Sequence, residues 1–198
     1  MIGASQMPGS TSVDLYPGHL RGQIDELNDK IYRSVNNGVY RSGFSTSQQA
    51  YDAVQREMFS TLDELEARLS QSRFLLGDRL TEADIRLLPT ISRFDAVYAS
   101  IFKCNKKRIM DYPNLSAWLR DMWQVEVDGS SLQVRDTLDI DAARHSYHSS
   151  LFPLNPSGIV PYGPTQADLD LEKPHGRGSS NKLEDVCFMT TPAVLASP

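Results

Sequence analysis

The sequence predicts an all-α fold, a bundle of amphipathic helices, from three observations. Apolar residues recur at three- and four-residue intervals along successive stretches, the spacing of one helix face. Helix-starting and helix-stopping residues stand at the ends of those stretches. No run of alternating β-branched residues suggests a sheet, and no internal repeat is visible.

The elements follow in order. Residues 1–12 are small and polar and read as a disordered N-terminus. Leu20, Ile24, Leu27, Ile31 and Val35 form the stripe of a first helix. Asn36-Asn37-Gly38 should stop it, because Asn and Gly accept the left-handed conformation of a helix end; "VYRSGF" is then a connector. A second helix should open near Thr46, which has capping-box spacing to Gln49, and run on Tyr51, Val54, Met58, Leu62, Leu65 and Leu69. The short connector favours an antiparallel pair. A third helix begins at Thr81 with Ile85, Leu88, Ile91, Phe94 and Tyr98 as its buried positions, and Pro89 should kink it. Leu115, Trp118, Leu119 and Met122 mark a fourth, with Pro113 near its start, and a weaker helix covers about 139–148. The helical domain therefore spans 13–150, a Pro/Gly-rich coil 151–175, and a disordered tail 176–198.

Composition narrows the function classes. At 198 residues with 40% hydrophobic content, the chain is one domain with tails. A net charge of −5 argues against nucleic acid and anionic membrane as partners, which want a basic face. No apolar run approaches the ~20 residues of a membrane span, and "MIGASQMPGST" lacks the apolar centre of a signal peptide. Cys104 and Cys187 are far apart, with neither disulfide-framework nor zinc spacing. The expected location is the cytoplasm.

Residues 77–98, "GDRLTEADIRLLPTISRFDAVY", crowd polar groups into an apolar run. Thr81 and Asp84 have the spacing of a capping box, Leu80 and Ile85 that of a hydrophobic staple, and Glu82 and Asp84 suit the positive end of the helix dipole. A helix start explains them without a substrate, so no catalytic residue is assigned. Cys104 stands near Lys103, Lys106 and Lys107, which would favour a thiolate, yet its neighbours Ile101 and Phe102 mark it as a small core residue. His145 and His148 are one turn apart but lack further ligands, so they read as surface histidines and no metal site is expected. The basic run Lys103–Arg108 reads as a solvated loop. Tyr40, beyond the expected helix end, and Tyr147, beside the coil, could each donate a hydrogen bond to a ligand oxygen; half-buried core tyrosines are the plainer reading.

Five segments carry a resemblance: "LYPGHLRGQIDELNDKIYRSVNNGVYRSGF", "AYDAVQREMFSTLDELEARLS", "LLGDRLTEADIRLLPTISRFDAVY", "FKCNKKRIMDYPNLSAWLRDMWQ" and "LNPSGIVPYGP…PHGR". Together they resemble the C-terminal helical domain of the glutathionyl-hydroquinone reductases, the omega-like (xi-class) glutathione transferases. The resemblance implies a glutathione transferase C-terminal-like helical bundle. It implies glutathione-dependent reduction of S-glutathionyl-hydroquinones by a cysteine of a thioredoxin-like domain, with glutathione as co-substrate. No βαβ pattern or Cys-Pro-Trp-type motif is present. The expectation is therefore a partial enzyme, inactive alone, that binds no cofactor by itself. The resemblance implies that Tyr40, and Tyr147 in "HSYH", correspond to hydroquinone-pocket tyrosines; Phe94 and Tyr98 are weaker pocket candidates. Pairing as a homodimer, or as a heterodimer with a full-length paralogue, is also implied. A non-catalytic dimerisation or partner-binding module is the alternative.

Overall fold

The first stripe folds as two helices joined end to end rather than one that stops. In the structure, a computed structural model that describes residues 12–127 and 132–190, α1 (Arg21–Ile31) passes through a π turn (Tyr32–Asn36) into α2 (Gly38–Gly43). The expected stop at Asn36-Asn37-Gly38 does not form. Asn37 stays right-handed at φ −85°, and the Asn36 amide is engaged elsewhere, donating to the Arg86 carbonyl (2.8 Å) and the Thr90 hydroxyl (2.9 Å). The reason lies in the spacing. Each four-residue step overshoots an α-helical turn by about 40°, so repeated fours walk off the buried face. A π turn, bonded i→i+5, is wider and takes up that drift. Ile31, Val35 and Val39 all remain fully buried.

α3 (Gln48–Leu69) starts one residue later than expected. Ser47, not Thr46, is its N-cap, and the Ser47 hydroxyl accepts from the Ala50 N–H at 3.2 Å. Its buried face carries Val54, Met58, Phe59, Leu62, Leu65 and Leu69. Tyr51 lies at the edge of that stripe, its hydroxyl donating to the Lys103 carbonyl at 2.6 Å.

α4 (Glu82–Arg93) begins as the Thr81/Asp84 spacing predicts, with a capping box. Asp84 does more than cap. Fully buried, its carboxylate accepts from the Thr81 N–H (3.1 Å) and hydroxyl (3.0 Å), the Leu75 N–H (3.0 Å) and the Trp118 indole N–H (3.0 Å). Burial pushes its carboxyl above the ordinary range, and these four donors oppose the shift. Ile85 does not join the core. It is 37% exposed, while Ala83, Leu87, Leu88 and Ile91 face inward, so no staple with Leu80 forms. Leu80 is instead buried, and its N–H donates to the Val186 carbonyl at 2.5 Å. Pro89 lies inside α4, which continues through it to a second π turn (Phe94–Tyr98) and α5 (Ala99–Ile101).

Two more acids cap elements across the core. Asp95 in the second π turn accepts from the Ile109 and Met110 N–H groups (2.7 and 3.0 Å). Glu66 of α3 accepts from the Asn114 and Leu115 N–H groups at the start of α6 (Pro113–Trp123). Pro113 takes the first helical position, where its missing N–H costs nothing. α7 (Ile140–Ser150) is capped by Asp139.

The C-terminal part is more ordered than its composition suggests. Residues 176–190, expected as part of a disordered tail, pack onto the bundle. Arg177 donates to the Leu69, Ser72 and Arg73 carbonyls, and Arg73 makes a two-pronged pair with Asp121 (2.8 and 2.7 Å). A short α8 (Leu183–Val186) buries Val186 and precedes buried Cys187. β2 (Phe188–Thr190) then pairs antiparallel with β1 (Ser12–Asp14), a two-stranded ribbon that no sequence pattern announced. The N-terminal expectation for 1–11 and the tail beyond 190 lie outside the described residues.

Asp84→Ala would leave the Leu75, Thr81 and Trp118 N–H groups unpaired in the core. It should cost about 3–5 kcal/mol in urea unfolding, against about 1 kcal/mol for Thr81→Ala. A cost below about 1 kcal/mol for Asp84→Ala would contradict this assignment.

Candidate functional site

Three tyrosines from three elements meet at one place. Tyr40 comes from α2, Tyr98 from the end of the second π turn and Tyr147 from α7. The Tyr40 and Tyr147 hydroxyls are 2.5 Å apart, and the Tyr98 hydroxyl is 3.4 Å from that of Tyr147. Tyr40 and Tyr147, the two candidates from the sequence, are thus direct partners. Tyr40 is neither beyond a helix end nor a core residue; it sits within α2 at 37% exposure. Tyr98 belongs with them. Phe94 does not: it is fully buried and packs edge-on against Phe59 (6.3 Å) in the core.

The floor of the cluster is Phe102. Its ring stacks on Tyr98 (5.5 Å, 3°) and touches Tyr40 (5.2 Å), Tyr147 (6.2 Å) and Phe44 (5.9 Å). Such offset and edge-on pairs add to the burial of each ring. Gly43 permits the arrangement, since a Cβ there would lie 2.1 Å from the Phe102 ring. Ser42 fixes the same residue by donating to the Phe102 carbonyl at 3.0 Å. Sequence reasoning named neither Phe102 nor Phe44 as site residues. Their signal was the four-residue spacing of Tyr40–Phe44 and of Phe94–Tyr98–Phe102.

α7 is held over the floor by His148. Its Nε2 lies 2.9 Å from the Ser100 hydroxyl and its Nδ1 2.8 Å from the Arg144 carbonyl. His148 is therefore buried and structural rather than a surface residue, while its neighbour His145 is exposed. Among the described residues, no group of His, Cys, Asp or Glu is arranged to hold a metal.

The chemistry on offer is hydrogen-bond donation. Hydroxyl–hydroxyl hydrogen bonds link Tyr40 to Tyr147 and Tyr98 to Tyr147. Tyr98 is 2% exposed, and a buried O–H left without an acceptor is costly, so its hydroxyl is satisfied within the cluster. Tyr40 and Tyr147 are the more accessible two and present their hydroxyls at the open edge. Burial and the bond to Tyr147 raise both the Tyr40 and Tyr98 phenols above the ordinary tyrosine value, so both are protonated near neutrality. The cluster offers a donor to a ligand oxygen and an aromatic surface to a ring.

No activated nucleophile accompanies it. Burial pushes the Cys104 thiol up to about 12, outweighing Lys103 and the hydrogen bonds of Ser42 and Gln55. Cys187 is likewise buried and pushed up to about 12. Burial thus favours the thiol form of both over the thiolate that a nucleophile needs. Thr81 and Asp84 are consumed in the helix start. A cleft of about 430 Å³ lies beside Ser42, lined by Ser45, Thr46, Gln48, Tyr51, Lys103 and Asn105, and no cysteine lines it.

Residues 48–121 match the family model described as Glutathione S-transferase, C-terminal domain. Residues 48–121 carry a glutathione transferase C-terminal domain. The chain is homologous to the glutathionyl-hydroquinone reductases and xi-class enzymes of that family. It is 48% identical over 169 residues to the glutathionyl-hydroquinone reductase YqjG of Escherichia coli, covering 85% of this chain and 49% of that protein. It is 48% identical over 158 residues to the glutathionyl-hydroquinone reductase PcpF of Sphingobium chlorophenolicum, covering 80% of this chain and 49% of that protein. The glutathione-bound structure of YqjG superposes with a TM-score of 0.78, covering 85% of this chain and 52% of that one. The chain thus spans about half the length of the relatives it matches.

The packing at Gly43 separates this site from generic helix packing. Gly43→Ala should force Phe102 off Tyr98 and cost about 2–3 kcal/mol in unfolding free energy. Gly38→Ala, whose Cβ would meet nothing closer than 3.8 Å, should be neutral or stabilise by up to about 1 kcal/mol. Equal effects at the two positions would contradict the close approach.

Proposed function

We propose that this chain forms the hydroquinone-binding wall of a glutathionyl-hydroquinone reductase, acting with glutathione as co-substrate in the cytoplasm. The observation that carries the proposal is the Tyr40–Tyr147 hydroxyl pair, backed by Tyr98 and floored by Phe102. The names of the two relatives described above support the reaction class.

In that reaction a cysteine thiolate attacks the sulfur of the S-glutathionyl-hydroquinone. A cysteine–glutathione disulfide forms, the aryl carbon–sulfur bond breaks, and the ring carbon takes a proton. A second glutathione then attacks the mixed disulfide, restoring the cysteine and releasing glutathione disulfide. The phenols hold the ring oxygens by hydrogen bonds, which favours electron density developing on the ring as the bond breaks. Burial raises both the Cys104 and the Cys187 thiol, which supports a reading in which neither supplies that thiolate.

The test has two arms. The purified chain, given glutathione and an S-glutathionyl-hydroquinone, should release hydroquinone no faster than glutathione alone. It should bind free hydroquinone, with affinity reduced roughly three- to tenfold by Tyr40→Phe. Turnover that disappears on Cys104→Ala, or hydroquinone binding indifferent to Tyr40, would overturn the proposal.

A second reading, a dimerisation or partner-binding module, is favoured by a different observation. Phe152, Ile159 and Tyr162 of the coil are 77%, 70% and 101% exposed. Large apolar residues exposed on one short segment suit an interface. A homodimer, or a heterodimer with a full-length paralogue, would cover them, and a monomer by light scattering at micromolar concentration would argue against it. No described helix is long and apolar enough to cross a membrane.

A further inference from the structure

We infer that Arg93 reads ligand charge at the tyrosine site, favouring aromatic ligands with a negative group beside the ring, such as ring carboxylates and phenolates. The inference rests on the tyrosine cluster being the aromatic-ligand site, and adds to it a substrate preference.

Two contacts place Arg93. Asn36 donates to the Thr90 hydroxyl at 2.9 Å, and four residues later the Tyr40 ring meets Tyr98, eight residues beyond Thr90, at 6.1 Å. Both contacts advance in the same direction along the two segments. The backbone of Arg93, one turn after Thr90 and at the mouth of the second π turn, therefore runs between them, alongside the segment that carries Tyr40. The Arg93 charge acts on the Tyr40 phenol, pulling against burial.

The guanidinium is free to act. Arg93 is half-buried, yet among the described residues no hydrogen bond or ion pair engages it. The other arginines on these elements are engaged. Arg41 pairs with Glu57, Arg86 with Glu82, and Arg144 with Asp141 and the Pro161 carbonyl. A partly dehydrated guanidinium with five unspent donors gains most from a planar anion that accepts two of them at once. A ring carboxylate next to a phenol presents that geometry, with its phenol oxygen left for Tyr40 or Tyr147.

Hydroquinone and 2,5-dihydroxybenzoate share a ring and differ by one carboxylate, so their dissociation constants on the full 198-residue chain isolate the charge. The chain should bind 2,5-dihydroxybenzoate roughly five- to tenfold more tightly than hydroquinone, the gain of one charge-assisted contact at a half-exposed site. Arg93→Gln should abolish that preference while leaving hydroquinone affinity within about twofold, and Arg93→Lys should retain part of it. A preference that survives Arg93→Gln, or no preference in the wild type while hydroquinone binding still depends on Tyr40, would overturn the role of Arg93 and leave the site standing. Binding of neither probe, or binding of both without dependence on Tyr40, would remove the site and the inference together.

Discussion

The architecture hangs on carboxylates that cap elements other than their own, and Asp84 is the one the rest depends on. A fully buried carboxylate is costly to desolvate, and here four donors from the α3–α4 loop, the start of α4 and the middle of α6 compensate it. Those bonds fix where α4 begins. The start of α4 sets the register of its π turn, and that turn delivers Tyr98. Asp95, inside the same turn, and Glu66, at the head of α6, repeat the device at the flanks. Each gains geometry as much as energy, because a carboxylate holding several N–H groups tolerates little displacement.

The two π turns carry this frame to the site. Both occur where apolar spacing runs in successive fours: Ile31, Val35 and Val39 in the first segment, Phe94, Tyr98 and Phe102 in the second. An α-helix would rotate the last member of each series away from the core. The wider turn keeps Val39 buried, so its neighbour Tyr40 sits at the rim, and it keeps Phe102 beneath the tyrosines. Local irregularity of this type is common at functional sites, and here it has a sequence cause.

Much of the fold was legible. The stripes, the Thr81–Asp84 helix start, Pro113 and the weaker helix near 139–148 all follow from spacing and helix-end chemistry; the Asp139 cap appears only in the structure. What escaped was non-local. Asn36-Asn37-Gly38 has every local mark of a helix end, but the Asn36 amide finds the Arg86 carbonyl and Thr90 hydroxyl fifty or more residues away, so the helix continues. Thr46 and Ser47 are both plausible caps, and only the backbone chooses Ser47. Residues 176–190 read as tail because their order comes from Arg177 and Arg73 holding distant carbonyls and Asp121, and periodicity does not record such contacts. At the site, Tyr40 and Tyr147 rested on resemblance; that they touch, and that Tyr98 and Phe102 complete the cluster, required the tertiary structure.

The central claim is that the aromatic ligand meets the chain at Tyr40 and Tyr147. Tyrosine-selective carbon-13 NMR of the chain during a hydroquinone titration tests it most directly. The ring carbons of Tyr40 and Tyr147 should move, together with those of Tyr98 through the shared hydroxyl bond, while those of Tyr51 in the neighbouring cleft and of Tyr112, bonded to Asp63, stay fixed. Shifts confined to Tyr51, or to any tyrosine outside the cluster, would contradict the account.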